Sequence, residues 1–377
     1  MKIQLDDFGK TAHFAPLTLT RPIGDLRCGL FTNTERWESY DESIVIGFKT
    51  VEYLQKQFEA FEQPDIIVNA HLIPDEMMMT SILALENDTK LVFEDHTLAQ
   101  KGNGSNVIQW VGEAPLILVN RWDLFTQNAR AIRQDFDWYT RDRVSMPLSD
   151  SNRLIGDASQ LFIEEGATVE GAILNVKEGP IYIGADAEVM EGSLVRGALA
   201  LMEHAALKMG AKIYGATTIG PHCKVGGEVG NSIFYAYSNK GHEGYVGNSL
   251  IGEWCNMGAD TNTSNLKNNY GKVDSYSYVE GKIIPTDQQF MGVTMGDHSK
   301  CGINTMFNTA TVIGVSCNIY GGDFPPKYIP SFSWGTAQEM VPFRLDKAIE
   351  YANNMMSRRK LELTEEEKEI LAHIQAN

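Results

Sequence analysis

Residues 238–273 form a polar segment that concentrates side chains able to do acid–base chemistry. His242 stands three residues before Tyr245, and Asn265 follows twenty residues after that tyrosine. Because an imidazole titrates near neutral pH, His242 could take a proton from a reacting group in neutral solution. Three lysines of the same segment could attract an anionic substrate: Lys240, Lys267 and Lys272. The competing hypothesis is a solvated loop in which the histidine and the lysines are inert.

This segment interrupts a six-residue repeat. An aliphatic side chain recurs at every sixth position: Ile183, Val189, Val195, Leu201, Leu207, Ile213, Ile219 and Val225. The register resumes at Met295, Cys301, Phe307, Ile313 and Ile319. A helix would scatter such a period around its axis, whereas three hexapeptides make one coil of about eighteen residues in a parallel β-helix. We therefore predict a β-helix over residues 151–335, with site-forming loops where the repeat breaks.

The first 150 residues have a different pattern. Strand-like apolar runs occur at residues 43–48, 65–69, 90–93 and 116–120. Helical patterns alternate with them at residues 51–63, 75–86 and 121–141. This alternation predicts a Rossmann-like α/β domain over residues 1–150 with a mainly parallel sheet.

Residues 336–377 follow the repeat and contain two amphipathic patterns, at 337–356 and 364–376. We predict a C-terminal helical cap that covers the open end of the solenoid. A long segment, residues 273–294, also intervenes before the repeat resumes. It could form a lid or a subunit contact.

Charge and composition exclude several classes of partner. Asp and Glu outnumber Lys and Arg by 49 to 32, giving a formal net charge of −17 that would repel nucleic acid and anionic lipid. The chain contains no run of eighteen apolar residues, which is the length needed to span a membrane. Its opening MKIQLDDFGK lacks the apolar stretch of a secretory signal. The five cysteines form no metal-type pair. We predict a cytoplasmic protein without a structural metal.

Several motifs carry a resemblance to a known family: PLTLTRP near the N-terminus, HEGYVG, NLKNNYG and GDHSKCGINT. A G-A-G-T element with an Asn loop is matched, with Asp260 in place of the second Gly, by Gly258, Ala259, Asp260, Thr261 and Asn265. The chain resembles a variant branch of the bifunctional N-acetylglucosamine-1-phosphate uridylyltransferase and glucosamine-1-phosphate N-acetyltransferase family. That resemblance implies a nucleotidyltransferase-like N-terminal domain and a left-handed parallel β-helix.

The resemblance also implies roles for the polar segment. The family's matching histidine deprotonates the attacking amine, which implies that role for His242. Asn265 would position the amino group, with backbone N–H groups of its loop holding the developing oxyanion. Tyr245 would contact the sugar phosphate, and the three lysines would supply positive charge. Acetyl-CoA and an amino-sugar phosphate, in first place glucosamine 1-phosphate, are the implied substrates of a homotrimer.

For the N-terminal domain the resemblance implies uridylyl transfer from UTP with Mg²⁺, forming a UDP-sugar. Residues 16–18 and Pro22 fit the P-L-T-x-x-x-P element of sugar nucleotidyltransferases, but Ile23 stands where a lysine is expected. The candidates for nucleotide phosphate contact are therefore Thr18, Arg21 and Arg27. His71 stands where a metal-binding Asp is expected, and Mg²⁺ prefers carboxylate oxygen to imidazole.

Three other functions remain open. Some hexapeptide β-helices are zinc carbonic anhydrases, and His204 and His222 are eighteen residues apart on adjacent coils. An outward-facing ladder explains that spacing better. The chain could also be a nucleotidyltransferase for another sugar, or a non-catalytic sugar-phosphate-binding protein or scaffold. Acetyl transfer to an amino-sugar phosphate is the function that the motifs favour.

Overall fold

An α/β layer forms the N-terminal part of the computed structural model, which describes residues 1–377. Its strands are β1 Lys2–Asp6, β2 Arg27–Cys28, β3 Phe31–Thr32, β4 Val45–Lys49, β5 Ile66–Asn69, β6 Leu72–Ile73, β7 Thr89–Phe93, β8 His96–Lys101, β9 Asn106–Gln109 and β10 Leu116–Ile117. Its helices are α1 Asn33–Tyr40, α2 Glu76–Leu83, α3 Asp123–Thr126 and α4 Asn128–Tyr139. Short 3₁₀ turns lie at Thr11–His13, Leu17–Leu19, Ile23–Asp25 and Glu52–Leu54.

The main sheet has the order β4-β1-β5-β8-β7-β9. β1 pairs in parallel with both β4 and β5, whereas β8 runs antiparallel to both of its neighbours. The predicted α/β class with a mainly parallel sheet is confirmed. The last predicted strand, at residues 116–120, is reduced to β10, which pairs with β6 outside this sheet.

The helix predicted at residues 51–63 is wrong, because only Glu52–Leu54 forms a single 3₁₀ turn there. The chain returns beside β4 instead, where the Phe48 amide donates to the Glu59 carbonyl at 2.8 Å. Phe48 also packs edge-on against Phe58. Pairing with the sheet edge therefore overrides the helical pattern of this segment.

Residues 153–335 form a parallel β-solenoid with three faces. The open face contains Arg153–Ile155, Ile173–Asn175, Leu194–Arg196, Lys212–Tyr214, Glu228–Gly230 and Tyr245–Gly247. The docked face contains Leu161–Ile163, Ile181–Ile183, Leu199–Leu201, Thr217–Ile219, Ile233–Phe234, Leu250–Ile251, Thr294–Met295, Val312–Ile313 and Tyr328–Ile329. The third face contains Thr168–Val169, Glu188–Val189, Ala206–Leu207, Lys224–Val225, Asn239–Lys240, Asn256–Met257, Lys300–Cys301, Asn318–Ile319 and Ser333–Gly335.

The aliphatic ladder lies inside the solenoid, as predicted. Each of its members is at most 4% exposed and belongs to one core cluster of 34 buried residues. Stacked coils place like side chains in register; for example, Val195 pairs with Ile213, which pairs with Val229. Each coil therefore buries its apolar side chains against the coils above and below.

The excursion predicted at residues 273–294 is an antiparallel hairpin of Asp274–Ser277 and Lys282–Pro285. Arg121 of the N-terminal part donates to the Ser275 hydroxyl at 2.6 Å and to the Tyr276 carbonyl at 2.7 Å. The hairpin is thus fastened to the N-terminal domain of the same chain.

The N-terminal domain packs along the docked face. Outward-facing side chains of that face, among them Phe162, Tyr182 and Tyr235, are at most 4% exposed and lie in core clusters shared with the domain. The Tyr235 hydroxyl also accepts from the Arg27 amide at 2.7 Å. The interface between the two parts is therefore a continuous apolar core with polar links.

Two C-terminal helices, α5 Leu345–Met356 and α6 Glu365–Ala376, follow the solenoid, and α5 begins later than predicted. The strand Met340–Pro342 pairs antiparallel with Ser333–Gly335 and covers the last edge of the third face. The helices pack against Val315 and Phe332 of the solenoid and against Leu54 of the N-terminal part. The two helices therefore contact both the solenoid and the N-terminal part. None of the helices combines the length and apolar character needed to cross a bilayer.

Candidate functional site

A break in the open face lies at the polar segment. The six-stranded sheet stops at Tyr245–Gly247, and the next strand, Asn262–Thr263, pairs instead with Met306–Phe307. Side chains bridge the break, because the Tyr245 amide donates to Asn262 Oδ1 at 2.8 Å and the Gly247 amide to Thr263 Oγ1 at 3.4 Å. Polar side chains thus replace backbone pairing at this level.

Two predicted site residues meet at the break. Asn265 Nδ2 donates to the Tyr245 hydroxyl at 2.9 Å and to Asn248 Oδ1 at 2.8 Å. The Asn265 carbonyl accepts from the Met291 amide at 2.8 Å, which fixes the loop. Gly247 makes room for this contact, since a Cβ there would lie 2.2 Å from the Tyr245 hydroxyl. Burial raises the pKa of Tyr245, so its hydroxyl keeps its proton.

Three further residues, which the sequence did not single out, extend this arrangement: Tyr214, Glu228 and Asn248. The Tyr214 hydroxyl donates to Glu228 Oε1 at 2.6 Å. Glu228 pairs in register with Tyr245 on the next coil. We call Tyr214, Glu228, Tyr245, Asn248 and Asn265 the open-face polar cluster. Aligning the sequences of successive coils could have found Glu228, because residues that pair on neighbouring coils occupy the same position in such an alignment.

His242 lies in the exposed loop between Asn239–Lys240 and Tyr245–Gly247, and its ring has no hydrogen-bond partner. Its backbone is held from inside the solenoid. Lys240 Nζ donates to the His242 carbonyl at 2.6 Å and to the Glu243 carbonyl at 3.0 Å. The loop is therefore anchored while the imidazole faces solvent.

The three lysines do not converge on one phosphate position. Lys240 is 1% exposed and pairs in register with Val225 on the third face, so it cannot contact a substrate phosphate. Burial lowers the pKa of Lys240 to about 8. Lys267 pairs with Asp274 at 2.9 Å and Lys272 with Asp287 at 2.7 Å. A phosphate at either of these lysines would have to compete with a carboxylate.

The predicted nucleotide contacts lie inside the protein instead. Thr18, Arg21 and Arg27 are at most 6% exposed. The Thr18 hydroxyl donates to the Thr11 carbonyl at 2.6 Å, and Arg27 pairs with Glu35 at 2.6 Å. Arg21 lies among three carboxylates, Asp25 of its own domain and Glu253 and Asp297 of the solenoid. All three side chains therefore have protein partners in this structure, and their contact with a nucleotide stays a prediction.

Arg21 connects the N-terminal domain to the solenoid. It forms ion pairs with Asp297 and, at 3.1 Å, with Glu253, both of which belong to the solenoid. Its guanidinium also lies 5.1 Å from the ring centre of Tyr235. The neighbouring carboxylates hold the pKa of Arg21 well above its ordinary value, against the effect of burial. The residue is a structural link.

A cavity of about 350 Å³ lies at the carboxyl ends of β1 and β5, where α/β folds bind ligands. Its residues do not fit Mg²⁺. His71 lines it, but the two ring nitrogens lie 3.1 Å from the carbonyl oxygens of Leu118 and Asp7. Asp95 is its single carboxylate, and no group of three His, Cys, Asp or Glu side chains is placed to hold a metal ion. A hard cation needs several oxygen ligands.

The histidines considered for zinc form part of a stacked ladder at one corner of the solenoid. His204 stacks on His222 at 4.7 Å, and His222 on Tyr237 at 4.8 Å, between ring centres. Tyr237 stacks in turn on Trp254 at 4.2 Å. This is the outward-facing ladder that the eighteen-residue spacing predicts.

The fold and the cluster thus combine an α/β domain with a hexapeptide-type solenoid. Residues 3–144 match the family model described as sugar nucleotidyl transferase. The bifunctional protein GlmU of Methanocaldococcus jannaschii is 34% identical over 90 residues, which cover 24% of this chain and 21% of that protein. A bifunctional sugar-1-phosphate nucleotidylyltransferase/acetyltransferase of Sulfurisphaera tokodaii is 34% identical over 95 residues, covering 25% and 23%. The resemblance to this family is confirmed.

The matches span about a fifth to a quarter of the length of these curated relatives. Among solved structures, the polysialic acid-specific acetyltransferase NeuO aligns over 56% of this chain and 98% of its own, with 13% identity and a TM-score of 0.31. The UDP-N-acetylglucosamine acyltransferase from Campylobacter jejuni covers 60% and 95%, with 15% identity and a TM-score of 0.19.

Proposed function

We propose that the protein transfers an acetyl group from acetyl-CoA to the amine of an amino-sugar phosphate, with glucosamine 1-phosphate as the first candidate. The observation that carries this proposal is the pairing of Asn265 with Tyr245 at the break in the open face, one short loop from His242. The similarity to bifunctional nucleotidyltransferase/acetyltransferases supports the same class of reaction.

In the proposed reaction His242 accepts a proton from the substrate ammonium or amine, whose nitrogen then attacks the thioester carbonyl carbon. The C–N bond forms, the C–S bond breaks, and the thiol of CoA leaves with a proton. Asn265 orients the amino group, and N–H groups near it stabilise the negative charge on the carbonyl oxygen. The Tyr245 hydroxyl donates a hydrogen bond to the substrate phosphate and keeps its proton.

A groove of about 690 Å³ adjoins the cluster through Tyr214 and has Ile155, Ile173 and Leu194 among its lining residues. Its apolar side chains would suit the uncharged chain of CoA. Ile173 and Leu194 are 38% and 48% exposed on this face, whereas the docked face is covered by the N-terminal domain. We infer that neighbouring copies meet through their open faces in a homotrimer.

The test of this proposal is release of the CoA thiol in the presence of glucosamine 1-phosphate. His242→Ala should lower kcat by about 10²- to 10⁴-fold, as expected for loss of a general base. Folding should be unchanged, because the ring makes no hydrogen bond. His204→Ala, which removes another exposed histidine of the solenoid, is the matched control and should keep full activity. Near-wild-type turnover by His242→Ala would remove this residue from the mechanism.

Uridylyl transfer from UTP to N-acetylglucosamine 1-phosphate is the second candidate activity, favoured by the family match of residues 3–144. A nucleotidyltransferase for another sugar and a non-catalytic sugar-phosphate-binding protein complete the alternatives. Following CoA thiol and pyrophosphate separately across a panel of sugar phosphates distinguishes these outcomes. Absence of both products would favour the binding protein.

A further inference from the structure

A cavity of about 450 Å³ shares its loop with the Tyr245–Asn265 pair. Ser264 and Leu266, which flank Asn265 in the chain, both line it. The other lining side chains that decide its chemistry are Asn268, Asn308 and Phe324. We call this cavity the asparagine pocket. Its volume lies within the range of small-molecule sites.

Strand register places the asparagine pocket directly beyond the break in the open face. The strand Asn262–Thr263 follows the level of Tyr245–Gly247 and pairs in parallel with Met306–Phe307. The Ser264 amide continues this pairing by donating to the Phe307 carbonyl at 2.8 Å. Ser264 and Asn308 therefore extend neighbouring strands, whose spacing in a sheet is about 4.8 Å. The pocket thus lies on the next coils of the side of the solenoid that carries the Tyr245–Asn265 pair.

Two asparagine side chains offer hydrogen bonds to a ligand in this pocket. Asn268 is exposed, and its amide makes no hydrogen bond. Asn308 Oδ1 accepts from the Thr309 amide at 2.8 Å, which leaves the Nδ2 group of Asn308 without a partner. A primary amide both donates and accepts hydrogen bonds, so it matches a hydroxyl group, which does the same.

Phe324 supplies an apolar surface to the same pocket. Its side chain is 53% exposed. Its backbone is held on both sides, because Asp323 accepts from Gln338 Nε2 at 2.5 Å and Pro325 is buried with a φ fixed by its ring. An exposed aromatic ring on an anchored segment loses little conformational freedom when a ligand packs on it.

The charge of the pocket favours an uncharged ligand. Lys267 is the one charged residue of the lining, and it pairs with Asp274 at 2.9 Å. A phosphate would have to displace that carboxylate, and a cation would find no free carboxylate in the lining. A pyranose ring meets neither obstacle, because it combines several hydroxyl groups with an apolar C–H face.

We propose that the asparagine pocket binds an uncharged sugar ring, and that the acceptor amino sugar is one that carries a second, neutral sugar. The ring packs its C–H face on Phe324, and its hydroxyls exchange hydrogen bonds with Asn268 and Asn308. No bond forms or breaks in the pocket. The statement about the acceptor rests on the proposed acetyl transfer, whereas sugar binding does not.

Saturation-transfer NMR of the full chain with methyl β-glucoside, methyl β-galactoside and methyl α-mannoside tests the binding. We expect saturable transfer to at least one glycoside. Phe324→Ala and Asn308→Ala should each weaken its binding by about fivefold or more, and both positions are exposed, so the fold should be kept. Tyr320→Ala removes another exposed aromatic ring, 44% exposed and outside the pocket, and is the matched control that should bind like the natural protein.

CoA thiol release then compares glucosamine with a disaccharide in which the best-bound sugar is β1,4-linked to glucosamine. We expect kcat/KM for the disaccharide to be higher by about fivefold or more, and Phe324→Ala should abolish that preference. Equal kcat/KM for the two acceptors would overturn the statement about the acceptor.

The binding proposal is overturned if none of the three glycosides binds, or if Phe324→Ala binds as well as Tyr320→Ala. It is also overturned if acetyl-CoA displaces the glycoside and Phe324→Ala raises KM for acetyl-CoA, since the pocket would then belong to the acyl donor. Glycoside binding without any thiol release would overturn the acetyl transfer and the acceptor statement, and would support sugar binding. The two proposals therefore fail in distinguishable ways.

Discussion

Lys240 offers a sharp test of the interior of the solenoid, because a charged amine is enclosed there without a carboxylate partner. Its ammonium group donates to the carbonyls of His242 and Glu243, and burial lowers its pKa from the ordinary 10.5 to about 8. The unfolded chain therefore binds a proton more tightly at this lysine than the folded chain does. Lys240→Met keeps a side chain of similar length and removes the titration.

The linkage relation gives the size of the effect. Between pH 8 and 10.5 the unfolded state binds about one more proton at this position than the folded state, so the stability of the native protein rises with pH. For pKa values of about 8 and 10.5, the gain between pH 7.5 and 9.5 is about 2 kcal/mol. The methionine variant lacks this contribution. At pH 7.5 the substitution removes the cost of burying the charged amine, which raises the free energy of unfolding by about 3 kcal/mol. It also leaves the His242 carbonyl without its donor, which lowers the free energy of unfolding by about 1–3 kcal/mol.

Urea unfolding of both proteins, followed by circular dichroism at pH 7.5 and 9.5, measures the difference. Other titrating groups are common to both chains and cancel in the comparison. We expect the free energy of unfolding of the natural protein to increase by about 2 kcal/mol relative to the variant over this range. Lys272→Met, at an exposed ion pair, should differ from the natural protein by less than about 0.5 kcal/mol. A Lys240→Met difference that stays constant with pH would mean that the amine is solvated and that our placement of it is wrong.

Two further substitutions test the core and the hairpin. Ile213→Asp puts an unpaired charge at a position that is 1% exposed and should destabilise the solenoid by about 3 kcal/mol or more. Met209→Asp changes a residue that is 70% exposed and should be tolerated. Equal melting temperatures for the two variants would contradict the six-residue register. Arg121→Met removes the donor that fastens the hairpin, so limited proteolysis at residues 278–281 should become several-fold faster than in Arg196→Met, which breaks only an exposed pair. Unchanged cleavage would show that the hairpin is held by other contacts.

The solenoid could be predicted because its period imposes the same environment on each coil. Lys240 shows where this reasoning fails. It pairs with Val225, fifteen residues earlier, so this coil is shorter than the regular eighteen and the count of six no longer places its side chains. A lysine in a polar segment then resembles a surface residue, and only the strand register shows that it points inward.

The Tyr245–Asn265 pair could be predicted from motif spacing, since about one coil separates the two residues. Arg21 and Arg27 could not be placed in the same way. Arg21 reaches a partner 276 residues away, and nothing local in the sequence indicates that contact. Long-range docking of two domains depends on complementary surfaces, which a motif of seven residues does not describe.

The docking of the two domains sets an energetic cost on any nucleotide contact made by Arg21 of the PLTLTRP segment. A guanidinium that binds phosphate must be solvent-accessible, but Arg21 is 6% exposed and is already neutralised by Asp297 and Glu253. Freeing it would leave two solenoid carboxylates unpaired at a largely buried interface, and breaking a buried ion pair of this kind typically costs about 3–5 kcal/mol. A nucleotide would have to supply that energy before gaining any contact.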